Sequence, residues 1–254
     1  MRSLLTCVCL LTLAPLALAD EAPPLPEVAR VVDHMDDLYR SKSSEGRVVM
    51  KVVTENYQRE LTMDVWSKGD DEALVVIRSP AREAGTATLR NDDGLWNYAP
   101  RADRLIRIPS GLLSQSWMGS HFSNDDLMRE SSYDDDYDAS LAWGDRGGQR
   151  VLVMTLVPKK EAAVVYTRLV FTMTTEGWLP LSADFYDGDD VVKRMTYSDI
   201  GDLGGRKVPK KLVVVPTDKP KESTTVTYEK MSFDGPIDET LFTPRGVRRV
   251  AQQR

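Results

Sequence analysis

The chain has 254 residues, 41% of them hydrophobic and 28% charged, with a formal net charge of −6. This length fits one all-β domain and is enough to bury a core without covalent staples. The acidic balance argues against nucleic acid as a partner and against a basic membrane-surface protein.

Residues 1–19, MRSLLTCVCLLTLAPLALA, read as an export signal. Arg2 supplies the positive start, Leu4 to Leu13 the apolar stretch, and Ala17-Leu18-Ala19 a small-x-small cleavage site before Asp20. The run is too short, and too closely followed by the acidic DEAPPLPE, to span a bilayer. Cleavage after Ala19 removes Cys7 and Cys9 and leaves no thiol, disulfide or cysteine metal site. The expected product is a soluble exported protein with a linker over 20–26, one domain over 27–245 and a basic tail over 246–254.

Glu27 to Arg40 predicts an amphipathic helix. Val28, Val31, Val32, Met35, Leu38 and Tyr39 fall near the spacing of one helix face, and Pro26 precedes them. The period then switches to two. Val48, Met50 and Val52 share one face of a strand, as do Leu61, Met63 and Val65 in the next. Strands follow at Ala73 to Arg78 (Val75 and Ile77 inward), Thr86 to Arg90 (Ala87 and Leu89 inward), Leu95 to Ala99 and Arg104 to Ile108, with a tight turn at Asn91-Asp92-Asp93-Gly94. Further strands are predicted near Tyr137 to Trp143, Arg150 to Val157, Val164 to Met173, Leu179 to Tyr186, Val191 to Ser198, Leu212 to Val215 and Ser223 to Phe233. With one early helix and no βαβ rhythm, the expectation is mainly β: one antiparallel sheet rolled into a barrel or half-barrel. Composition alone leaves open whether its Met, Val and Leu face is plain core or lines a cavity.

Between the strands stands SQSWMGSHFSNDD, Ser114 to Asp126, which fits no strand pattern. Ser123-Asn124-Asp125-Asp126 is a helix-start signal leading into Leu127 and Met128. Gly119 permits a turn that brings Trp117, Met118 and Phe122 toward the apolar face.

Catalytic constellations are thin. His34 and His121 lack metal-ligand spacing, and there is no HExxH, no GxSxG elbow and no phosphate-cradling glycine loop. His121 beside Ser120 and Asp125 is a poor triad, because triad members converge from separate elements. Asp134-Asp135-Asp136-Tyr137-Asp138 lacks the spaced ligands, glycine and terminal glutamate of a calcium loop and reads as a solvated acidic run. The four arginines between Arg245 and Arg254 read as a solvated terminus, the alternative being a contact with an acidic partner or lipid headgroups. The expectation is a non-enzyme without cofactor or metal.

GTATLRNDDGLWNYAPRADRLIRIPSGLLSQSWMGSHFSNDDL, starting at Gly85, resembles the outer-membrane lipoprotein-sorting-like family, relatives of the LolA and LolB carriers. The resemblance rests on Gly85, Leu89, Trp96, Tyr98, Pro100 and Ile106, and on Ser116, Met118, Gly119, Ser120, Phe122, Ser123 and Asp126. Trp178-Leu179-Pro180, Pro209-Lys210 and Leu241-Phe242-Thr243-Pro244 support it more loosely. Trp117 stands where the family usually has Phe, and His121 where it usually has Asp. The resemblance implies an unclosed antiparallel half-barrel whose apolar concave face is covered by short helices, in a periplasmic, monomeric carrier of lipid or lipoprotein acyl chains. It implies an apolar cavity lined by Val48, Met50, Val52, Leu61, Met63, Val65, Val75, Ile77, Leu89, Trp96 and Tyr98. The cover would come from Val32, Met35, Trp117, Met118, Phe122 and Leu127. The alternative is a non-catalytic accessory subunit docking on an inner-membrane transporter, with the interior merely core.

Overall fold

The computed structural model describes residues 22–129, 133–162 and 164–253. The expected export signal lies outside the described residues. Thirteen strands form one antiparallel sheet: β1 (Ser43–Val53), β2 (Gln58–Lys68), β3 (Glu72–Ser79), β4 (Ala87–Asn91), β5 (Gly94–Ala99), β6 (Arg104–Arg107), β7 (Tyr137–Arg146), β8 (Gln149–Pro158), β9 (Arg168–Met173), β10 (Pro180–Asp187), β11 (Asp190–Leu203), β12 (Arg206–Pro216) and β13 (Ser223–Phe233). Their spatial order is β6-β5-β4-β3-β2-β1-β13-β12-β11-β10-β9-β8-β7. Each strand pairs with its neighbour in sequence, except that β13 closes back onto β1 and the β6–β7 crossing is not paired. The sheet is therefore unclosed, as expected, with β6 and β7 as its free edges.

The period-two pattern has a direct consequence in the register. Val52, Thr224, Val214, Met195, Ala183, Phe171, Met154 and Leu141 lie opposite one another strand by strand, making one continuous row across eight strands of the inner face. Side chains alternate faces along every strand, so a single register fixes the whole inner surface.

Two helical groups cover that surface. Helix α1 (Val28–Asp37) buries Val31, Val32 and Met35 against it. The helix is shorter than expected: Ser41 takes a left-handed φ of 54°, and Tyr39 and Arg40 leave the helix to meet the sheet. Tyr39 stacks on Tyr228 with ring centres 4.4 Å apart and donates to the Pro209 carbonyl. The second group lies in residues 110–129 and 133–136. It contains two 3-10 turns (Ser110–Leu112 and Trp117–Gly119), α2 (Asn124–Arg129) and α3 (Tyr133–Asp136).

The outer face carries a second apolar cluster under α4 (Pro244–Gln252). This corrects the expectation of a solvated basic tail over 246–254. Thr243 caps the helix by accepting from the Gly246 amide, Pro244 occupies the first turn, and Val247, Val250 and Ala251 are buried on Leu74, Val76 and Leu89. Arg78 donates to the Val250 and Gln253 carbonyls and closes the far end. Gly246 is needed here because a Cβ would fall 1.7 Å from the Thr240 carbonyl oxygen.

Candidate functional site: an apolar cavity under two helical covers

Between the inner face and its covers lies a cavity of about 230 Å³. Strands on both sides of the β1–β13 seam build it. Val48, Met50, Met63, Val65 and Val75 come from β1–β3, and Leu169, Phe171, Phe185, Met195, Leu212 and Val226 from β9–β13. Met35, Leu38 and Tyr39 close it from the α1 side, and Trp117, Phe122, Leu127 and Tyr133 from the other. The wall is overwhelmingly apolar, and its thioethers at Met35, Met50, Met63 and Met195 are adaptable in shape. Several of its polar groups are hydrogen-bonded within the protein: the Ser44 and Ser67 hydroxyls lie 2.7 Å apart, and Arg40 donates to the Gly69 carbonyl outside the wall.

The central segment is tied down at several points. The Ser116–Ser123 bridge and the Trp117 amide on the Phe122 carbonyl (2.8 Å) pinch it into a compact loop. At the tip Met118 and Gly119 both adopt left-handed backbone, at φ 51° and 68°. The Trp117 indole is buried and donates to the Thr88 hydroxyl at 3.0 Å. Arg59 donates to the Met118 carbonyl at 2.7 Å, and Tyr57 to that of Gly119. His121 sits with Nδ1 2.8 Å from Thr224 Oγ1 and Nε2 3.1 Å from a Glu222 carboxylate oxygen, joining the segment to the end of β13.

Helix α2 opens with reciprocal caps. The Asp126 amide donates to the Ser123 hydroxyl, and the Ser123 amide to Asp126 Oδ2. Asp126 has a second role. Lys193 Nζ lies 2.8 and 2.7 Å from its two oxygens and 2.6 Å from the Tyr166 hydroxyl, and it packs on the Phe185 ring. Lys193 is only 5% exposed. Burial pushes its ammonium pKa down, and the Asp126 carboxylate opposes that fall. Burial and the same carboxylate push the Tyr166 phenol up, so it stays protonated. These groups hold a cover on the sheet. Asp126, Tyr166 and Phe185 also reach the cavity wall.

Helix α1 is held differently. Its Asp36 carboxyl is pushed up to about 8 by burial and by the charge of Asp134 on α3, and its Oδ1 has no hydrogen-bond partner. Burial also lowers the His34 pKa; its ring packs edge-on against Trp178.

A family model described as an uncharacterized protein matches residues 69–249. Three solved structures share the architecture across nearly their whole length. A DUF1329 family protein from Desulfovibrio piger superposes with a TM-score of 0.77 at 24% identity, covering 87% of this chain and 98% of that one. A putative outer membrane lipoprotein-sorting protein domain from Vibrio parahaemolyticus gives 0.73 at 21%, with the same coverage. A LolA superfamily protein from Nitrosomonas europaea gives 0.72 at 21%, covering 86% and 98%. The chain belongs to the matched family, and its fold is the lipoprotein-sorting-like fold. No curated protein matches it by sequence.

Within this lipoprotein-sorting-like fold the residues singled out from sequence divide into three groups. Val48, Met50, Met63, Val65 and Val75 line the cavity, with Met35, Trp117, Phe122 and Leu127 over it. Val52, Leu61, Ile77 and Val32 belong to the same apolar cluster but do not reach the cavity wall, and Met118 packs against that cluster from its rim. Leu89, Trp96 and Tyr98 correct the expectation: they lie on the outer face with Leu74, Val76 and α4. The inward residues of β4 and β5 are Thr88 and Asn97, which bond each other at 2.9 Å. Sequence reasoning missed the cavity residues of β9–β13 and the Lys193–Asp126 pair. The signal for the pair was present. Lys193 sits at the inward parity of Met195 and Tyr197, where a charge demands a buried partner.

Proposed function

We propose that the protein is a periplasmic carrier that shelters the acyl chains of a lipid or lipidated protein in this cavity, without catalysing a reaction. The observation that carries the reading is an apolar chamber under two helical covers, with Ser44, Ser67, Arg40 and Asp126 of its lining hydrogen-bonded within the protein. A free acyl chain in water costs roughly 0.8 kcal/mol per methylene, so a chamber of this lining is sufficient to capture one. The likeness to a putative lipoprotein-sorting domain and to a LolA superfamily protein supports the reading at the level of fold. The expected export signal supports the compartment, and a transporter in the inner membrane is the natural donor or acceptor. Among the described residues no helix is long and apolar enough to cross a membrane.

Release requires one cover to move. The central segment is fixed by hydrogen bonds to β2, β4, β11 and β13. Helix α1, with its strained Asp36 against α3, is the cover that opens. Native mass spectrometry of protein isolated without detergent, followed by lipid extraction, tests the proposal. The expected result is a bound acyl lipid or lipidated chain. A protein that stays empty after incubation with membrane lipids would favour the accessory-subunit reading instead.

A further inference from the structure

The arginines of the supposed tail gain a role from where α4 packs. It lies on the outer face beside the β6 edge, and the contacts that hold it bring basic residues from distant parts of the chain together. Arg248 is tied to Asp103 in the turn before β6 at 3.0 Å, and Arg101 in the same turn donates to the Arg82 carbonyl. Asn91 Nδ2 reaches the Phe242 carbonyl, setting the start of the helix beside the β4–β5 turn. Arg107 lies over the Trp96 ring at 5.9 Å. The result is a strip along one edge of a chain whose net charge is −6.

On this strip Arg101, Arg104, Arg107 and Arg245 are all exposed, and among the described residues no carboxylate pairs with them. Charged residues on an edge strand also prevent edge-to-edge aggregation, and that alone accounts for Arg104 and Arg107. It does not account for Arg101 and Arg245, which lie off the strand. Ile106 shares one side of β6 with Arg104, Arg107 emerges on the other side beside Trp96, and the two sides meet at the open edge; Ile106 is 55% exposed, and Leu112 in the following 3-10 turn is 37% exposed. The opposite sign collects at the other free edge: Asp33 and Asp37 on α1 and Asp134, Asp135 and Asp136 on α3, the helices next to β7.

We propose that the β6–α4 edge docks on an anionic phospholipid surface, with the arginines on the phosphates and Ile106 and Leu112 at the headgroup boundary. An aliphatic side chain flanked by arginines suits that boundary, where one side is apolar and the other charged. The chain runs directly from β6 through Ile108 and Pro109 into the cover of the cavity, so docking places the chamber against the bilayer. The net negative charge argues only against a surface that is basic everywhere. This inference does not depend on the carrier reading: docking is a property of the outer edge, and its failure leaves the cavity untouched.

The test is co-sedimentation of the purified protein with vesicles of phosphatidylethanolamine and phosphatidylglycerol, compared with phosphatidylcholine alone. Binding to the anionic vesicles is expected, weakening as sodium chloride is raised. A single arginine near such a surface contributes about fivefold in affinity. Arg104→Gln/Arg107→Gln/Arg245→Gln is therefore expected to bind about a hundredfold more weakly. These side chains are exposed, and an unchanged melting curve confirms that the variant folds. Equal binding to neutral vesicles, or full binding by the triple variant, overturns the proposal. Absence of vesicle binding combined with salt-sensitive retention on a polyglutamate column overturns it in favour of an acidic protein surface.

Discussion

Lys193 shows how a single residue commits this structure. A buried ammonium is costly unless its hydrogen bonds are met, and here two carboxylate oxygens and a phenol meet them. Removing only the anion leaves the charge stranded. Asp126→Ala, which also removes the cap of α2, is expected to cost about 3–5 kcal/mol in denaturant unfolding. Asp126→Asn/Lys193→Met is expected to cost less than the sum of its single substitutions, and additivity would show that the two groups do not act as a pair. Asp36 works in the opposite sense. Its carboxyl has an ordinary value of 3.8 and is raised to about 8 in place. Between those values the native state holds a proton that the unfolded chain has shed, so stability is full below pH 3.8 and falls as pH rises toward 8. Asp36→Asn is expected to flatten that decline, measured as melting temperature against pH, and to leave α1 better protected from hydrogen exchange at pH 8. A variant with the same slope as the parent would show that Asp36 is not the group responsible.

At the scale of elements, α4 is a structural helix with a functional outer surface. Val247→Asp places a charge against Leu74, Val76 and Leu89, and is expected to destabilise the protein by about 3 kcal/mol or more in denaturant unfolding. Near-native stability would mean that the helix is dispensable. This helix was only partly legible in the sequence. Val247, Val250 and Ala251 have helical spacing, and Thr243-Pro244 is a start signal, but with four arginines around them the apolar stripe is narrow. The strands were legible because period-two alternation is strong wherever one face is apolar and the other wet. It failed to assign faces at β4 and β5, where the outer side is covered too and Ala87 to Arg90 are all buried. With both faces buried, Leu89 and Thr88 are equal candidates for the inside, and nothing local to the sequence places Leu89 under α4. The aromatic segment gave up its helix start at Ser123 and its turn at Gly119. Its ties to Thr88, Thr224 and Lys193 join residues far apart in the chain, and no local pattern encodes them.

The whole molecule is an open sheet that uses its two faces for different ends. The inner face encloses a chamber, and the outer face is sealed by α4 for stability. The carrier reading rests on the chamber accepting an acyl chain. Ala73 lines it, and Ala73→Trp adds an indole that fills the space while leaving the strand's backbone pairing intact. The most direct measurement is a titration of a fluorescent long-chain fatty acid into the parent protein and into Ala73→Trp, with circular dichroism confirming that both are folded. The parent is expected to bind one saturable equivalent and the blocked variant at least tenfold more weakly, a loss of about 1.4 kcal/mol or more. Equal binding by both proteins, or none by the parent, would contradict the account.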